Sequence, residues 1–470
     1  MKYRHLFIFL FLFLWIFLGF YLARVESPIF DEPVHLKAGY LYSKGDYNFD
    51  PIEPPLFRRI VYTFGKQVES VTGPSNTFFP YRAVVIVLTG IALCLLLWPL
   101  FSQSLFSGLL GSVLFVYEPS LIAHSHYFTT DSISAIISVT ASLLLLKEYW
   151  KNSFQFMVLM TFFALAASLK VASLALLLPI LLIKLPCLGA KRLKYLLFLT
   201  FVFIWATYNF HFQPIFNHLN INFPFGGYLR AIKENILFAR RGQPIFFNGH
   251  LYTHAPVSKT LIELLQKTTL PIIILALWAV KKGKNIGAFL LIFLIVVIIN
   301  LFKPLNFGMR HLLAAEIALI LMAARVSPKS IMNWMVFSPL IIWQITSFRN
   351  SIPQTLTYTN EFASKQDIIF SDSDYDWGQG LLWLRQELIT RNIKDYQLAY
   401  FGNVDPLPYL GKFNRLHDEN PVSSLPITKI DYSKPTIISL TCYYLCGYYQ
   451  DPVLSRLPKQ VIAQSFYYFP

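Results

Sequence analysis

Long runs of apolar residues recur along most of this chain, separated by short polar gaps. A helix needs roughly 20 apolar residues to cross the hydrocarbon core of a bilayer, and about eleven runs approach that length. They lie at 6–22, 82–100, 105–122, 132–147, 154–169, 171–185, 193–210, 269–280, 286–302, 311–324 and 331–347. Charged residues form 14% of the 470 residues, against roughly 25% in soluble domains. This composition excludes an ordinary soluble enzyme and predicts a polytopic α-helical membrane protein.

The positions of the basic residues predict how the chain crosses the membrane. Their excess, 40 Lys and Arg against 25 Asp and Glu, lies in short gaps such as 184–194 and 281–284. This is the positive-inside distribution. A nucleic-acid-binding surface would instead interleave basic and aromatic residues on one face, so we expect no nucleic-acid partner. The first run follows Lys2 and Arg4 without a small-residue cleavage site behind it, so we predict an uncleaved anchor with a cytoplasmic N-terminus.

Three long polar segments then fall on the opposite face of the membrane. They are the loops 24–81 and 211–268 and the tail 348–470. Counting the runs from a cytoplasmic N-terminus places all three outside the cytoplasm. We therefore divide the chain into a transmembrane module, 1–347, and an extracytoplasmic C-terminal domain, 348–470.

The tail differs in composition from the rest of the chain. It contains β-prone runs at 367–370 and 436–440 and an amphipathic helix candidate from Gln379 to Thr390. These elements predict a small α/β domain. Because Cys442 and Cys446 fall outside the cytoplasm by this topology, a disulfide between them is permitted.

A pair of carboxylates, Asp31 and Glu32, follows the first apolar run and precedes Pro33. A carboxylate at the bilayer surface suits a general base that acts on a water-soluble acceptor while a lipid-linked donor arrives from the side. An acidic residue before a proline is equally typical of a helix N-terminus. Catalysis and helix capping both stay open for this pair.

A second acidic group closes the loop between the third and fourth runs, which reads from His124 to Asp131. By topology this loop lies on the same face as Asp31, so Asp131 is a second candidate functional acid, with a helix cap as the alternative. His124 and His126 are candidate metal ligands, although two histidines without a third ligand are a weak indication. A divalent metal site therefore stays open.

Basic residues also occur on the outer face, against the positive-inside distribution. They are Arg230, Arg240, Arg241, His250, His254, Lys259, Lys267, Arg310 and His311. An anionic lipid headgroup would account for them, because Arg makes bidentate contacts to phosphate. The alternative is that they are long side chains that extend to the membrane interface.

Taken in order, these segments resemble the phospholipid-carrier-dependent glycosyltransferases related to protein O-mannosyltransferases and to the aminoarabinose transferases of lipid A, the class called GT-C. Asp31-Glu32 with Gly45-Asp46 is similar to the family's first outer loop. Glu53-Pro54-Pro55-Leu56 stands where the family has His-Pro-Pro-Leu or Glu-Lys-Pro, and His124 to Asp131 resembles its second acidic motif.

The resemblance continues to the end of the chain. Phe247-Asn248-Gly249-His250 and Lys267-Thr268-Thr269-Leu270-Pro271 are similar to the family's Leu-Gly-Glu and Lys-Thr-Pro-Leu-Pro elements, and Gly308-Met309-Arg310-His311-Leu312-Leu313 resembles its Gly-x-Arg-His-Leu-Leu. Two tail segments match motifs of its bacterial C-terminal domain: Asp376-Trp377-Gly378-Gln379 and Tyr400-Phe401-Gly402-Asn403-Val404-Asp405-Pro406.

The resemblance implies transfer of a sugar, with inversion, from a polyprenyl monophosphate to a hydroxyl or similar nucleophile on a protein, lipid or glycan, at the bacterial inner membrane. A phosphate departs without a strong acid, so the protein must mainly deprotonate the acceptor and stabilise charge on the phosphate. We expect Asp31 to be the base. The remaining predicted roles are acceptor orientation or cation binding for Glu32 and Asp131, donor-phosphate contact for Lys267, Arg310 and His311, and substrate binding for Glu53, His124 and His126.

Two other functions fit a basic, many-spanned protein. A transporter or lipid flippase would place ionisable groups near the membrane midplane, whereas the acids here gather in outer loops, with Glu316 the main exception. A ligase that uses a diphosphate-linked donor is the closest alternative among enzymes. Donor preference distinguishes it from a monophosphate-dependent transferase.

Overall fold

The computed structural model describes residues 4–75, 77–215, 221–283, 285–328, 330–363, 369–416 and 429–470. Helices dominate the first three quarters of the chain, and each predicted apolar run coincides with a helix. The helices are α1 (Arg4–Val25), α2 (Glu32–Ser43), α3 (Leu56–Thr72), α4 (Phe79–Gln103), α5 (Leu105–Val116), α6 (Pro119–His126), α7 (Asp131–Leu146), α8 (Ser153–Leu169), α9 (Ser173–Leu188), α10 (Ala190–Thr207), α11 (Gly226–Arg241), α12 (Val257–Lys267), α13 (Leu270–Lys281), α14 (Gly287–Phe302), α15 (Leu313–Ala323) and α16 (Ile331–Ser351).

The apolar helices make this an integral membrane protein. Among the described residues, α1, α4 and α16 are each long and apolar enough to cross a membrane. Two bent pairs also qualify as single spans, α5 with α6 at 66° and α12 with α13 at 99°, and α7, α8, α9, α14 and α15 are shorter apolar helices. Each bent pair breaks next to a proline, Pro119 or Pro271. Proline lacks the backbone N–H and clashes with the preceding turn, so the upstream helix cannot continue through it.

The two outer loops fold over one end of the apolar helices. The first loop forms α2 and the amphipathic α3, whose Phe57, Val61 and Gly65 recur every four residues and are buried on one face. The second contains α11 and two antiparallel hairpins, β1 (Phe212–Pro214) with β2 (Asn222–Pro224) and β3 (Ile245–Phe247) with β4 (His250–Tyr252). These loops place polar side chains above the membrane helices.

The tail forms a small α/β domain, as predicted. Its sheet has the strand order β6-β5-β7-β9-β8, with β5 parallel to both β6 and β7 and β9 antiparallel to β7 and β8. The elements are α17 (Leu381–Thr390), β5 (Gln397–Ala399), α18 (Leu407–Leu410), β6 (Asn414–Arg415), β7 (Thr436–Ser439), α19 (Leu440–Leu445), β8 (Gln460–Ile462) and β9 (Phe466–Phe469).

Three expectations for the tail, the helix, the run at 436–440 and the cysteine pair, fall wholly within the described residues. The predicted helix is α17, which begins two residues later than expected, and the run at 436–440 supplies β7. The run at 367–370 lies partly outside the described residues. The described residues of this run, Ile369 and Phe370, do not form a strand, and the carbonyl of Ile369 accepts a 3.1 Å hydrogen bond from the N–H of Asn248 at the β3–β4 turn. Cys442 and Cys446 are joined by a disulfide.

The tail and the transmembrane module share one hydrophobic cluster. Ile29 and Tyr127 of the module pack in the same buried group as Trp377, Phe401 and Ile438 of the tail. The aromatic rings of Phe30 and Phe401 stack with centroids 5.0 Å apart. The tail is therefore packed directly on the loop that carries Asp31.

Candidate active site

A cavity of about 530 Å³ lies where the outer loops, the helix ends and the tail meet. Its walls include residues from the loop after α1, from α3, from the end of α11 and from the tail. Ionisable groups from several separate segments of the chain converge here. Those that line it are Asp31, His35, Asp50, Glu53, Arg58, Asp131, Lys170, Lys303, Arg310, His311 and Asp372.

Asp31 precedes α2 but does not cap it through its side chain within the described residues. Its Oδ2 instead accepts a 2.8 Å hydrogen bond from Nη1 of Arg310, whose guanidinium lies over the ring of Trp377 with its carbon 4.6 Å from the centroid. The Asp31 side chain is 31% exposed, at the cavity wall. Burial raises the pKa of its carboxyl, and Arg310 opposes that rise. A carboxylate with a raised pKa is a stronger base.

Asp131 is a second carboxylate in the cavity wall. It begins α7 and its carboxylate pairs with the ammonium group of Lys170. Both oxygens of the neighbouring Glu53 accept from the Thr130 hydroxyl, at 2.9 and 3.0 Å, and Glu53 Oε2 lies 3.3 Å from Nη2 of Arg58. Burial raises the pKa of Glu53 against these cations. Lys170 Nζ also lies 3.9 Å from Glu53 Oε1, so Asp131 and Glu53 share Lys170 as a cationic partner.

Arg58 connects the acids of the first loop to a histidine. Its Nη2 lies 2.7 Å from Asp50 Oδ2, and its Nε donates a 2.7 Å hydrogen bond to Nδ1 of His35. Burial and the Arg58 charge hold the pKa of His35 well below its usual range. His35 is therefore neutral and, because Nδ1 accepts, carries its proton on Nε2.

Four cations line the same cavity: Arg58, Lys170, Lys303 and Arg310. Lys303 Nζ lies 3.4 Å from Nδ1 of His311. Burial lowers the pKa of Lys303 to about 7, and the like charges of Lys170 and Arg310 act in the same direction. A bound anion would relieve this repulsion, so the cavity is suited to a phosphate.

Not every predicted residue reaches the cavity. Asp31, Asp131, Glu53, Arg310 and His311 line it. The described residues that line it do not include Glu32, His124, His126 or Lys267.

Glu32 is a buried structural partner of Arg82. Both side chains are 0% exposed, and two hydrogen bonds of 2.7 and 2.6 Å join Arg82 to the two carboxylate oxygens. Glu32 also accepts from the backbone N–H of Ile29, at 2.9 Å, and of Phe128, at 2.8 Å. It therefore ties the Asp31 loop to α4 and to the loop before α7, and a direct substrate contact does not follow from its position.

The two histidines of the second motif have separate partners. His126 Nε2 lies 2.8 Å from Glu26 Oε2, and its Nδ1 lies 2.9 Å from the carbonyl oxygen of Ile122. His124 is buried edge-on against Trp377, with ring centroids 6.1 Å apart. In the described part of the chain, no group of three or more His, Cys, Asp or Glu side chains is placed to hold a metal ion.

Lys267 fastens the tail to the membrane helices. Its Nζ donates to the carbonyl oxygens of Leu356, Tyr358 and Asp374, at 2.8, 2.5 and 2.5 Å. These three acceptors satisfy the donors of an ammonium group. We therefore do not retain Lys267 as a contact for the donor phosphate.

Several cavity residues were absent from the predicted site. They are His35, Asp50, Arg58, Lys170, Lys303 and Asp372. A signal existed for two of them, because the count of apolar runs places Lys170 and Lys303 on the outer face, where cations are unexpected. Asp372 had no such signal, since it comes from the tail, and burial raises its pKa to about 6.

No family model matches the chain, and no curated protein matches it. Solved structures do share its fold. ArnT from Cupriavidus metallidurans in the apo state has a TM-score of 0.52 and 10% identity, covering 98% of this chain and 97% of that chain. The same protein bound to undecaprenyl phosphate has a TM-score of 0.52 and 10% identity, covering 99% and 98%. Over nearly its whole length, the chain therefore has the fold of ArnT.

Proposed function

We propose that this protein is a membrane glycosyltransferase that moves a sugar from a polyprenyl-phosphate carrier to an acceptor on the outer face of the membrane. The observation that carries the proposal is the contact between Asp31 and Arg310 in a cavity that also contains Lys170 and Lys303. The site thus combines a carboxylate for the acceptor with cations for a phosphate. The structure of ArnT bound to undecaprenyl phosphate supports a carrier of this chemical class.

Asp31 is the proposed general base. Arg310 engages its Oδ2, and we assign Oδ1 to accept the proton from the acceptor hydroxyl. The acceptor oxygen then forms a bond to the anomeric carbon of the donor while the bond from that carbon to the phosphate oxygen breaks. The configuration is inverted in this single displacement, and the products are the glycosylated acceptor and the polyprenyl phosphate.

Arg310, Lys303 and Lys170 are the proposed contacts for the donor phosphate. The bond that breaks leaves a second negative charge on the phosphate, and fixed cations stabilise this charge in the transition state. His311 is 3.4 Å from Lys303 and orients it. Asp131 and Glu53 fix Lys170 from the other side. No strong acid is required, because a phosphate is a good leaving group.

The same proposal covers location and acceptor. We place the N-terminus in the cytoplasm of a bacterium, the helices in the inner membrane, and the cavity and tail on the outer side. The disulfide between Cys442 and Cys446 supports this orientation, because disulfides persist in oxidising compartments. The acceptor is a protein, lipid or glycan of the cell envelope.

Label transfer from defined donors tests the function. The purified protein is incubated in native-source membranes with a panel of radiolabelled polyprenyl-phosphate sugars, and release of label from the lipid is measured. We expect one donor to pass label to a new product, and Asp31→Asn to lose this activity. Asp46→Asn is the matched control, because Asp46 lies in the same loop, is exposed and accepts a 3.0 Å hydrogen bond from the backbone of Asn48.

Two outcomes would contradict the proposal. If the protein turns over a polyprenyl-diphosphate sugar but no polyprenyl-monophosphate sugar, it is a ligase. Movement of labelled lipid across the membrane without transfer of sugar would identify a flippase.

A further inference from the structure

One segment of the tail, residues 371–379, contacts both turns that carry the Asp31–Arg310 pair. On the Asp31 side, the contacts are between backbones. The N–H groups of Phe30 and Ser27 donate to the carbonyl oxygens of Trp377 and Gln379, at 2.8 and 3.0 Å. Backbone contacts of this kind fix the path of the chain directly before Asp31.

On the Arg310 side, the contact is a side-chain cap. Oδ1 of Asp374 accepts a 2.7 Å hydrogen bond from the backbone N–H of Met309, the first residue of the 3₁₀ turn Met309–His311. Gly308 leaves the space that this approach needs. A Cβ on Gly308 would stand 2.5 Å from Asp374 Oδ1, and its φ of +121° is itself unfavourable for a residue with a side chain. The carboxylate therefore fixes the start of the turn that carries Arg310.

Asp374 is itself held from two sides. Its Oδ2 lies 3.2 Å from Nζ of Lys259, which also pairs with Glu263, and its backbone carbonyl accepts from Lys267. The side chain is 0% exposed. A carboxylate anchored in this way cannot leave the turn for solvent without breaking buried contacts.

The same segment also covers the guanidinium of Arg310. The ring of Trp377 lies under it, with the guanidinium carbon 4.6 Å from the ring centroid, whereas Asp374 caps the backbone N–H of the preceding residue, Met309. We infer that Asp374 is a positioning residue for the donor phosphate, which acts through Arg310, and that the 371–379 segment makes the tail an integral part of the active site. This inference rests on the proposed function.

A positioning role predicts a specific pattern among variants of Asp374. Asp374→Asn keeps an oxygen that accepts from the Met309 N–H, whereas Asp374→Ala removes it. We therefore expect Asn to retain a donor KM within about 3-fold of wild type and Ala to raise it about 10-fold or more, since small displacements of a positioning group are costly. If Asp374 served mainly as a charge partner of Lys259, Asn would be as damaging as Ala.

The experiment measures kcat, donor KM and the pH profile of kcat/KM for wild type and both variants of the full chain in membranes. Asp451→Ala is the matched control, because Asp451 caps a turn of the same domain by accepting from the N–H groups of Val453 and Leu454, at 2.9 and 2.8 Å. Of Asp374→Ala, Asp374→Asn and Asp451→Ala, only Asp374→Ala should raise the donor KM about 10-fold or more. The acidic limb of its kcat/KM profile, which Asp31 sets, should lie at the same pH as in wild type. In an Arg310→Ala background, Asp374→Ala should cause no further loss of donor affinity.

Several results would overturn the inference. They are an unchanged donor KM in Asp374→Ala, an equal loss in Asp374→Asn, or additive losses with Arg310→Ala. Gly308→Ala disturbs the same contact from the other side, and it should also raise the donor KM. If neither this variant nor Asp374→Ala accumulates as folded protein, the contact is a folding element and the positioning role is wrong. A wild type that turns over no polyprenyl-phosphate sugar would instead reject the proposed function.

Discussion

Asp31 and Arg310 stand 279 residues apart in the chain and meet through a 2.8 Å contact between Oδ2 and Nη1. Asp31 belongs to the loop after α1, and Arg310 to the 3₁₀ turn that precedes α15. Their contact brings the proposed base and the proposed phosphate-binding group into one cavity. Each member of the pair can therefore be tested for a different step, proton removal or donor binding.

Asp31→Asn should reduce turnover by at least ~10²-fold, because it preserves the shape of the side chain but removes the base. Since burial raises the pKa of Asp31, the acidic limb of the wild-type kcat/KM profile should lie above the ordinary pKa of an aspartate. Activity is lost as pH falls through this value and the carboxylate is protonated. The residual activity of the variant should lack this limb. A variant with near wild-type turnover and the same limb would show that Asp31 is not the base.

Arg310→Ala should weaken the binding of undecaprenyl phosphate by about 10- to 100-fold, because a hydrogen bond to a charged group contributes about 1.5–3 kcal/mol. Arg310→Lys keeps the charge but not the planar fork, so its affinity should be intermediate. Binding to the purified protein in detergent measures both. Unchanged affinity in Arg310→Ala, with normal expression, would remove Arg310 from the phosphate site.

Lys303 should make donor binding depend on pH near neutrality. Its pKa is lowered to about 7 by burial, so the side chain is charged below that pH and increasingly neutral above it. Affinity for undecaprenyl phosphate should therefore fall as pH rises through about 7. Lys303→Arg remains charged throughout and should flatten this dependence. Any slope that remains in the arginine variant belongs to the phosphate itself, and identical slopes in both proteins would contradict a role for Lys303.

Glu32→Ala should lower the free energy of unfolding by about 3–5 kcal/mol, because it leaves the buried Arg82 without its carboxylate. The measurement is the thermal unfolding of the purified protein in detergent. The double variant Glu32→Met, Arg82→Met removes both charges and should be more stable than the single variant. If Glu32→Ala unfolds like wild type and instead loses substrate affinity, Glu32 has the direct role that its buried position argues against.

The membrane helices were predictable because the physical signal is local. A run of apolar residues near the thickness of a bilayer predicts a helix without any knowledge of its neighbours, and every predicted run coincides with one. The bends were missed, although Pro119 and Pro271 mark both of them. The tail helix was predicted from its amphipathic pattern and the strand β7 from its β-prone run, because both signals are also local.

For the candidate site, local sequence signals predicted only some of the residues that line the cavity. Asp31, Asp131, Glu53 and Arg310 were predicted from their motifs and their predicted membrane face, and they line the cavity. Four residues of the same motifs were predicted with them but do not line it: Glu32, His124, His126 and Lys267. Neighbours in the chain can point into different surroundings, and Asp31 at the cavity beside Glu32 in a buried ion pair is one example.

The sequence by itself determined that this chain is a membrane protein and where its helices lie, because hydropathy acts over short stretches. The tertiary structure alone decided which acid meets which cation. Asp31 meets Arg310 and Asp131 meets Lys170 through packing between segments far apart in the chain. It also decided that the tail contributes Asp372 and Trp377 to the cavity, since that depends on how two hydrophobic surfaces fit together.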